Sequence, residues 1–522
     1  MHDDPYLAAV RAALPRVLSL FDADRTSASH GMGDRRYWAW SLIDFGNGTF
    51  QGAAHGLARL WTNDLWPYDT PAERFLGRID AMFEGARRLT RPDGSQEEAF
   101  PHEGSYCVTA LVAYDLLCAL DLLREAVSEE QRRRWQATIR PMIGYLMAAD
   151  EHHAFISNHL ATAAAALARW HSLANDPAAE TRARLLLDRI VGRQSSEGWY
   201  DEYGGADPGY QSLATCYLVD LHHLRPQWQL ADSLERSLGF LWHFVHPDGS
   251  FGGLYGSRCT RFFHPAGVEL MVPTSAPAAA LASAMARSVA ECRVVGLDGI
   301  DEPNLIPMFN SYCWAAALRC RGPRRAEPPA AIVPALQRVP LRRHYPQAGL
   351  WIDAGPSHYT VVSTHKGGVV MHFEGERLVR CDAGVVVRDP RGRLGSTQAL
   401  NPANTTQLDG DTLVVEAEVC QMPRRLPNPL QFAVLRLACV TVLRVPSWRE
   451  AIKRLLVRWL ISGRRAWPAR NVRRIRFGPG LQVSDDTRLA GGHVVVADPG
   501  PFVAIHMASQ GYWQRQDETV AG

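Results

Sequence analysis

No C-x-x-C pair occurs among the ten cysteines, which lie scattered from Cys107 to Cys439, so neither a zinc ribbon nor a dense disulfide framework is signalled. Buried free thiols are expected for most of them, as suits a reducing compartment. A strong charge of one sign is also missing. The formal net charge is +2, which argues against a surface built as a whole to hold nucleic acid. An acidic sugar polymer needs only a local basic patch. No uninterrupted apolar run approaches the roughly 20 residues of a membrane span, and the start Met1-His2-Asp3-Asp4 carries acid where a signal peptide carries base. A cytoplasmic protein without nucleic-acid partners is expected.

What is present is enough apolar material for a normal core. Of 522 residues, 46% are apolar and 21% charged, and this length suggests two large domains. To about residue 320 the chain is rich in Ala, Leu, Arg and Trp at helical spacing, as in Tyr106 to Leu123 and Leu160 to Trp170. A proline-rich breaker follows at Gly322 to Pro329, and beyond it come short Val-rich runs such as Tyr359 to Ser363 and Thr412 to Glu416. The boundary falls within 322–340, giving domains of 1–325 and 326–522.

The helical half has a rhythm. Turns at Asp44-Phe-Gly, Asp93-Gly-Ser, Asp150-Glu, Glu197-Gly, Asp248-Gly-Ser and Asp298-Gly recur about every fifty residues, room for two helices and their connections. The pattern predicts six helical hairpins closed into an (α/α) toroid, followed by a C-terminal antiparallel β-sandwich. An irregular helical domain with coincidental turns is the plainer alternative.

Ser157-Asn158-His159 stands before a long Ala-rich run, which makes Ser157 or Asn158 an N-cap and places His159 in a first turn, where backbone N–H groups favour an anion. Asn158 as a mere cap and His159 as packing would explain the same residues. The segment Glu197-Gly-Trp-Tyr-Asp-Glu-Tyr-Gly-Gly-Ala-Asp-Pro-Gly-Tyr210 is dense in aromatics, acids and glycines. Trp199 and Tyr203 suit stacking on sugar rings, with Tyr210 opening the next helix, although the aromatics of a tightly folded loop can equally pack inward. Arg258, in the turn that also carries Tyr255, is a carboxylate clamp. Trp38 and Trp40 suit a sugar subsite or the core. Glu103 belongs to an acidic turn at that same end; with Glu97 or Glu98 it could instead form the acid pair of a glycosidase. His365 ends a strand. Finally, residues 449–476 hold ten basic side chains and one acid with Trp448, Trp459 and Trp467 nearby, either a solvated basic face or a surface for acidic glycan or peripheral membrane contact.

Taken together, these segments resemble the heparinase II/III-like polysaccharide lyases, and more loosely the alginate lyases of the same toroid-plus-sandwich architecture. The resemblance covers about residues 35–390. It rests on an Asn-His at a helix start, an aromatic Gly-rich loop ending in Tyr, and a His before strand, glycine turn and the Asp-x-Gly at Asp382. It implies that Asn158, His159 and His365 contact a uronate and that Tyr210, or failing it Tyr203, works as acid/base. Family members often show His-x-His-x-Asp and a structural zinc, whereas this chain has His365-Lys366-Gly367-Gly368; no cofactor and no catalytic metal are expected. Relatives lacking a signal peptide suit capsule, O-antigen or exopolysaccharide metabolism.

The implied reaction is β-elimination from a uronic acid. The proton α to the carboxylate is weakly acidic, so donors such as Asn158, His159 and Arg258 must neutralise the developing charge, each worth roughly 3 kcal/mol in the transition state. Tyr210 is the expected acid, with His159 or Tyr210 itself as base, each role supplying about 10²–10⁴-fold.

Overall fold

A computed structural model describes residues 4–41, 43–152, 154–321, 332–422, 428–458 and 463–505. The proline-rich breaker and Trp459 lie outside the described residues.

The helical half runs α1 (Pro5–Ser19), α2 (Arg35–Trp38), α3 (Ala53–Thr62), α4 (Ala72–Leu89), α5 (Tyr106–Leu123), α6 (Glu129–Ala148), α7 (Ser157–Ala174), α8 (Pro177–Val191), α9 (Pro208–Leu224), α10 (Ala231–Leu241), α11 (Ala266–Met271), α12 (Ala276–Ala290) and α13 (Glu302–Arg321). Ser or Asp caps open several of them: Asp4, Ser105, Ser128, Asp176, Asp207 and Ser275 each accept a backbone N–H of the first turn. Helices α3, α5, α7, α9, α11 and α13 each pack on the next, and α13 returns to α3, which closes a ring. Helices α1, α4, α6, α8, α10 and α12 pack outside it. The inner helices are buried nearly all round; α5 exposes little beyond Cys107 and its last turn. It is the one described helix long and apolar enough to cross a membrane, and 83% of that window is buried in the ring.

Five of the six acid- or glycine-marked turns fall where an outer helix hands over to an inner one, so they gather at one end of the ring, and the Asp44 turn lies between α2 and the inner α3. Two of them are built alike. In Asp93-Gly94-Ser95 and Asp248-Gly249-Ser250 the aspartate accepts both the backbone N–H and the hydroxyl of the serine, and the glycine takes a φ of 87° or 83°. A Cβ at Gly94 would also strike the carbonyl oxygen of Pro141, so glycine is required there twice over.

After a short α14 (Pro334–Gln337), the C-terminal half has a first sheet of β1 (Leu341–Tyr345), β2 (Leu350–Ala354), β3 (His358–Ser363), β4 (Val369–Glu374) and β5 (Arg377–Asp382), joined in sequence order and antiparallel. A second antiparallel sheet holds β6 (Val386–Arg388), β7 (Leu394–Ser396), β8 (Thr405–Asp409), β9 (Thr412–Gln421), β10 (Ala466–Arg476), β11 (Gln482–Arg488) and β12 (Val494–Val495). Between β9 and β10 the chain leaves the sheet to form α15 (Pro429–Val440) and α16 (Pro446–Val457).

Both faces of the first sheet are covered. Trp351, Val362 and Val370 meet Leu413, Val415 and Ile475 of the second sheet, while the alternate residues Leu350, Ile352, Val361, Val369 and Met371 join the core of the ring. That explains why β3 and β4 read as near-continuous apolar runs rather than as an alternation. Each such side chain contributes about 1.5–3 kcal/mol by burial, so the sheet and the ring share one core. Tyr345 and Tyr359 add polar pins, with their hydroxyls on Nδ1 and the carbonyl of His243.

Candidate active site at the ring end

Helix α7 begins without a side-chain cap of its own, because Ser157 and Asn158 are already inside its first turn. The orphan N–H groups are met from the loop before α9 instead. Ser157 donates its N–H to the carbonyl of Asp201 at 3.1 Å, and Asn158 donates both its backbone N–H and its Nδ2 to the Glu202 carboxylate, at 2.9 and 2.8 Å. Where the sequence led us to expect an anionic ligand at this helix start, the acceptor is the Glu202 carboxyl group, a residue of the protein. Glu202 is fully buried. Burial holds its carboxyl well above the usual carboxylate range, against the opposing pull of the two Asn158 hydrogen bonds.

One residue on, the half-buried His159 places Nδ1 2.7 Å from the buried carboxylate of Glu151. When Nδ1 carries the proton in this pair, Nε2 keeps the lone pair and faces away from Glu151.

The loop continues into Tyr203, a non-glycine residue at φ 59°, whose N–H is tied to the carbonyl of Phe155. The Arg258 guanidinium lies over its ring at 4.5 Å. Burial pushes the Tyr203 phenol far up, Arg258 draws it down, and the neighbouring Tyr210 and Glu151 raise it further. Tyr210 sits half-buried in the first turn of α9, edge-on to Phe262 at 5.9 Å. Its N–H and that of Arg258 both go to the buried carboxylate of Asp207, which Thr260 also binds. Asn158 and Arg258, themselves buried at 4% and 5% exposed, are thus tied to Glu202 and Asp207, Tyr203 lies against Arg258 and Tyr210 shares Asp207 with it, while His159 next to Asn158 is tied to Glu151.

His365 is placed differently. Its ring packs on Gly349, and its titration is lowered by burial and raised by Glu197. Glu197 itself accepts the N–H groups of Gln347 and Ala348, at 2.7 and 3.0 Å, and the indole of Trp199 at 2.9 Å. His365 therefore stands at the Glu197 end of the loop, while Asn158 and Tyr210 stand at the other.

Several expected substrate contacts prove to be interior. Tyr255 is 2% exposed and shares a hydrogen bond with Nε2 of His246 at 2.9 Å, because the ring core closes over it. Trp199 is buried with its indole committed to Glu197. Trp38 donates to the carbonyl of Leu20 beneath the Arg35 guanidinium. Trp40, by contrast, is 79% exposed. Glu103 is buried, accepts the N–H groups of Glu98 and Ala99, and pairs with Lys453 at 2.5 Å. The basic segment is divided: Arg473 meets Asp382 and Asp485, Arg470 meets Glu416 and Glu418, and Lys453 meets Glu103, while Arg454, Arg458, Arg464, Arg465, Arg474 and Arg476 are exposed.

The sequence contains two lysines, Lys366 buried and Lys453 half-buried where the C-terminal half meets the ring. Lys366 donates to the carbonyls of Leu254 and Gly256 and to the sulfur of Cys259. Burial draws the titration of Lys453, on α16, down, but Glu103, with Glu151 and Glu98 adding to it, outweighs that and raises it. Sequence reasoning passed over Glu151, Glu202, Lys366 and Lys453 as site residues. The only hint was the density of acids around 150 and 197–207. Beside Glu151 lies a pocket of about 200 Å³, walled by Tyr106, Tyr145, Asp150, Glu151, Arg449 and Lys453. The Nε of Arg449 is buried there without a hydrogen-bond partner among the described residues.

Among the described residues no three His, Cys, Asp or Glu side chains gather as metal ligands would, and Asp382 is engaged by Arg473, Arg380 and the N–H of Gly384.

No protein-family model matches the chain, and no curated protein matches it. Solved structures do. The chondroitin AC lyase of Streptomyces coelicolor A3 is 13% identical with a TM-score of 0.50, over 81% of this chain and 65% of that one. A Paenibacillus xanthan lyase is 10% identical with a TM-score of 0.46, over 80% and 45%, and heparinase III is 11% identical with a TM-score of 0.42, over 80% and 75%. The chain spans less than two thirds of the first two. The structural neighbours include polysaccharide lyases, and at these identities the likeness to the chondroitin lyase speaks for the fold, helices followed by antiparallel sheets.

Proposed function

We propose that the chain is a polysaccharide lyase that cleaves a uronic-acid-containing glycan by β-elimination, on a six-hairpin toroid joined to a β-sandwich. The closed cycle of inner helices and the two facing sheets support that architecture. The observation that carries the activity is the set of residues at the starts of α7 and α9, in which Asn158 is held by the buried Glu202, His159 by the buried Glu151, the Tyr203 ring by the Arg258 guanidinium, and the backbone of Tyr210 and Arg258 by Asp207.

The chemistry follows from those restraints. Loss of the α-proton leaves an enolate-like dianion, and an amide N–H of Asn158 with the Arg258 guanidinium would neutralise it. His159, with Nδ1 fixed by Glu151, offers Nε2 to take the proton. A phenol then protonates the departing 4-oxygen. Tyr210 is assigned that role because it opens α9 beside Asp207; Tyr203, likewise half-buried, is the fallback, and its raised phenol stays protonated, as an acid must be. His365 would touch substrate only if the sugar chain extends along the loop to Glu197, and Trp40 is free to stack on an outlying sugar.

A paired-carboxylate glycosidase is less well supported, because Glu103 is locked by Lys453 and two backbone N–H groups while Glu97 is held by Arg91 and the N–H of His102. Purified protein incubated with a panel of acidic polysaccharides is expected to generate the ultraviolet absorbance of a C4–C5 double bond. Cleavage without that absorbance would favour hydrolysis and overturn the assignment.

A further inference from the structure

We infer that the helical pair α15–α16 is a docking surface for an anionic lipid bilayer, independently of the reaction at the ring end. One side of the pair is accounted for. Cys439 and Leu443 pack with Phe100 of the ring, Arg436 pairs with Asp44, and Lys453 with Glu103. The other side is apolar and open. On α15, Leu430, Val434 and Leu437 follow one another at i, i+4 and i+7 with exposures of 73%, 60% and 63%, and on α16 Trp448 and Leu455 stand at i and i+7 with 62% and 65%. A helix that is apolar on both faces is normally enclosed, and one that is not marks a surface with a partner.

The charges around it select the partner. Residues 428–458 contain one acid, Glu450, and six bases. Of these, Arg444, Arg454 and Arg458 are exposed beside the apolar stripes. A second copy of the chain across a two-fold axis would bring these arginines against their own copies with almost no acid to answer them. A bilayer with anionic headgroups satisfies both features at once: the Leu and Val stripes enter the acyl boundary, Trp448 sits at headgroup depth, and the arginines meet phosphates. The place overlaps the start of the basic stretch 449–476 that composition alone suggests and adds the apolar stripe of α15 before it; within β10, Arg470 and Arg473 are already paired.

The test is flotation of the full chain with vesicles of phosphatidylcholine, alone or containing phosphatidylglycerol. The phosphatidylglycerol vesicles are expected to bind it roughly tenfold or more tightly, less so as salt rises. The double variant Leu437→Glu/Trp448→Glu should lose that binding, and Arg444→Glu/Arg454→Glu should lose the preference for anionic lipid, both with unchanged thermal unfolding since all four side chains are exposed. Equal or negligible recovery with the two vesicle types would overturn the proposal. So would a dimer in light scattering that Leu437→Glu dissolves, which would assign the surface to a second copy.

Discussion

The loop between α8 and α9 carries two glutamates five residues apart that do opposite things. Glu197 faces the first sheet, and its carboxylate is spent on two backbone N–H groups of the β1–β2 turn and on the Trp199 indole. Glu202 faces the ring, and its carboxylate is spent on Asn158. One end fastens two halves of the molecule; the other aims a side chain. The difference teaches that burial and hydrogen bonding alone do not separate a structural carboxylate from a positioning one. What separates them is the partner: backbone groups in the first case, and in the second a side chain that belongs to a cluster of titratable groups.

If that reading holds, variants at the two ends must divide cleanly between activity and stability. The largest effect is expected at Tyr210. Tyr210→Phe should lower kcat about 10²–10⁴-fold on an acidic polysaccharide, with a melting temperature close to that of the parent because the ring keeps its edge contact with Phe262. Tyr203→Phe should cost about tenfold or less, since its ring still lies under Arg258. A reversal of the two would move the acid to Tyr203.

Glu202→Gln comes next. The new side chain keeps one acceptor for the two Asn158 donors, so a loss of about 1–3 kcal/mol in stability is expected, together with a fall of roughly tenfold in kcat as Asn158 loosens. There is also a signature in pH. A carboxyl whose folded-state titration is raised holds its proton longer than it does in the unfolded chain, so its contribution favours folding at low pH and is lost as pH rises through the carboxylate range and above. Chemical denaturation across that range should show the parent losing stability with rising pH more steeply than Glu202→Gln. Parallel curves would mean that Glu202 stays ionised throughout.

Much of the frame was legible because its determinants are local. A left-handed glycine behind an aspartate marks Asp93-Gly94-Ser95 and Asp248-Gly249-Ser250 in sequence and in space alike, and the unbroken apolar runs of β3 and β4 announce a sheet with two covered faces. Asn158 and His159 stood out for the same reason, being short-range neighbours at a helix start. What stayed hidden depends on distant contacts. Nothing near Lys366 or Lys453 in the chain tells that each will be drawn inward, one among carbonyls and the other onto a carboxylate. Tyr255 and Trp199 looked like sugar platforms because an aromatic beside glycine reads the same whether the loop turns it outward or into the core. Helix α15 was hard to read because its apolar positions fill both faces, so the chain alone does not tell which face packs and which stays open.

The smallest expected effect on activity is at Glu197, and it is the one that can break the comparison. Glu197→Gln keeps a carbonyl for one N–H of the β1–β2 turn and gives up the other, so unfolding should move by about 1–2 kcal/mol while kcat stays within a factor of two or so. His365 makes the measurement sharper. Its protonation is suppressed by burial and supported by the Glu197 charge, so removing that charge must lower its titration further. Should His365 only pack against Gly349, the pH profile of kcat/KM will not move. An acid limb displaced to lower pH would instead bring His365 into the reaction, and the Glu197 end of the loop would then be positioning a reacting group just as the Glu202 end does.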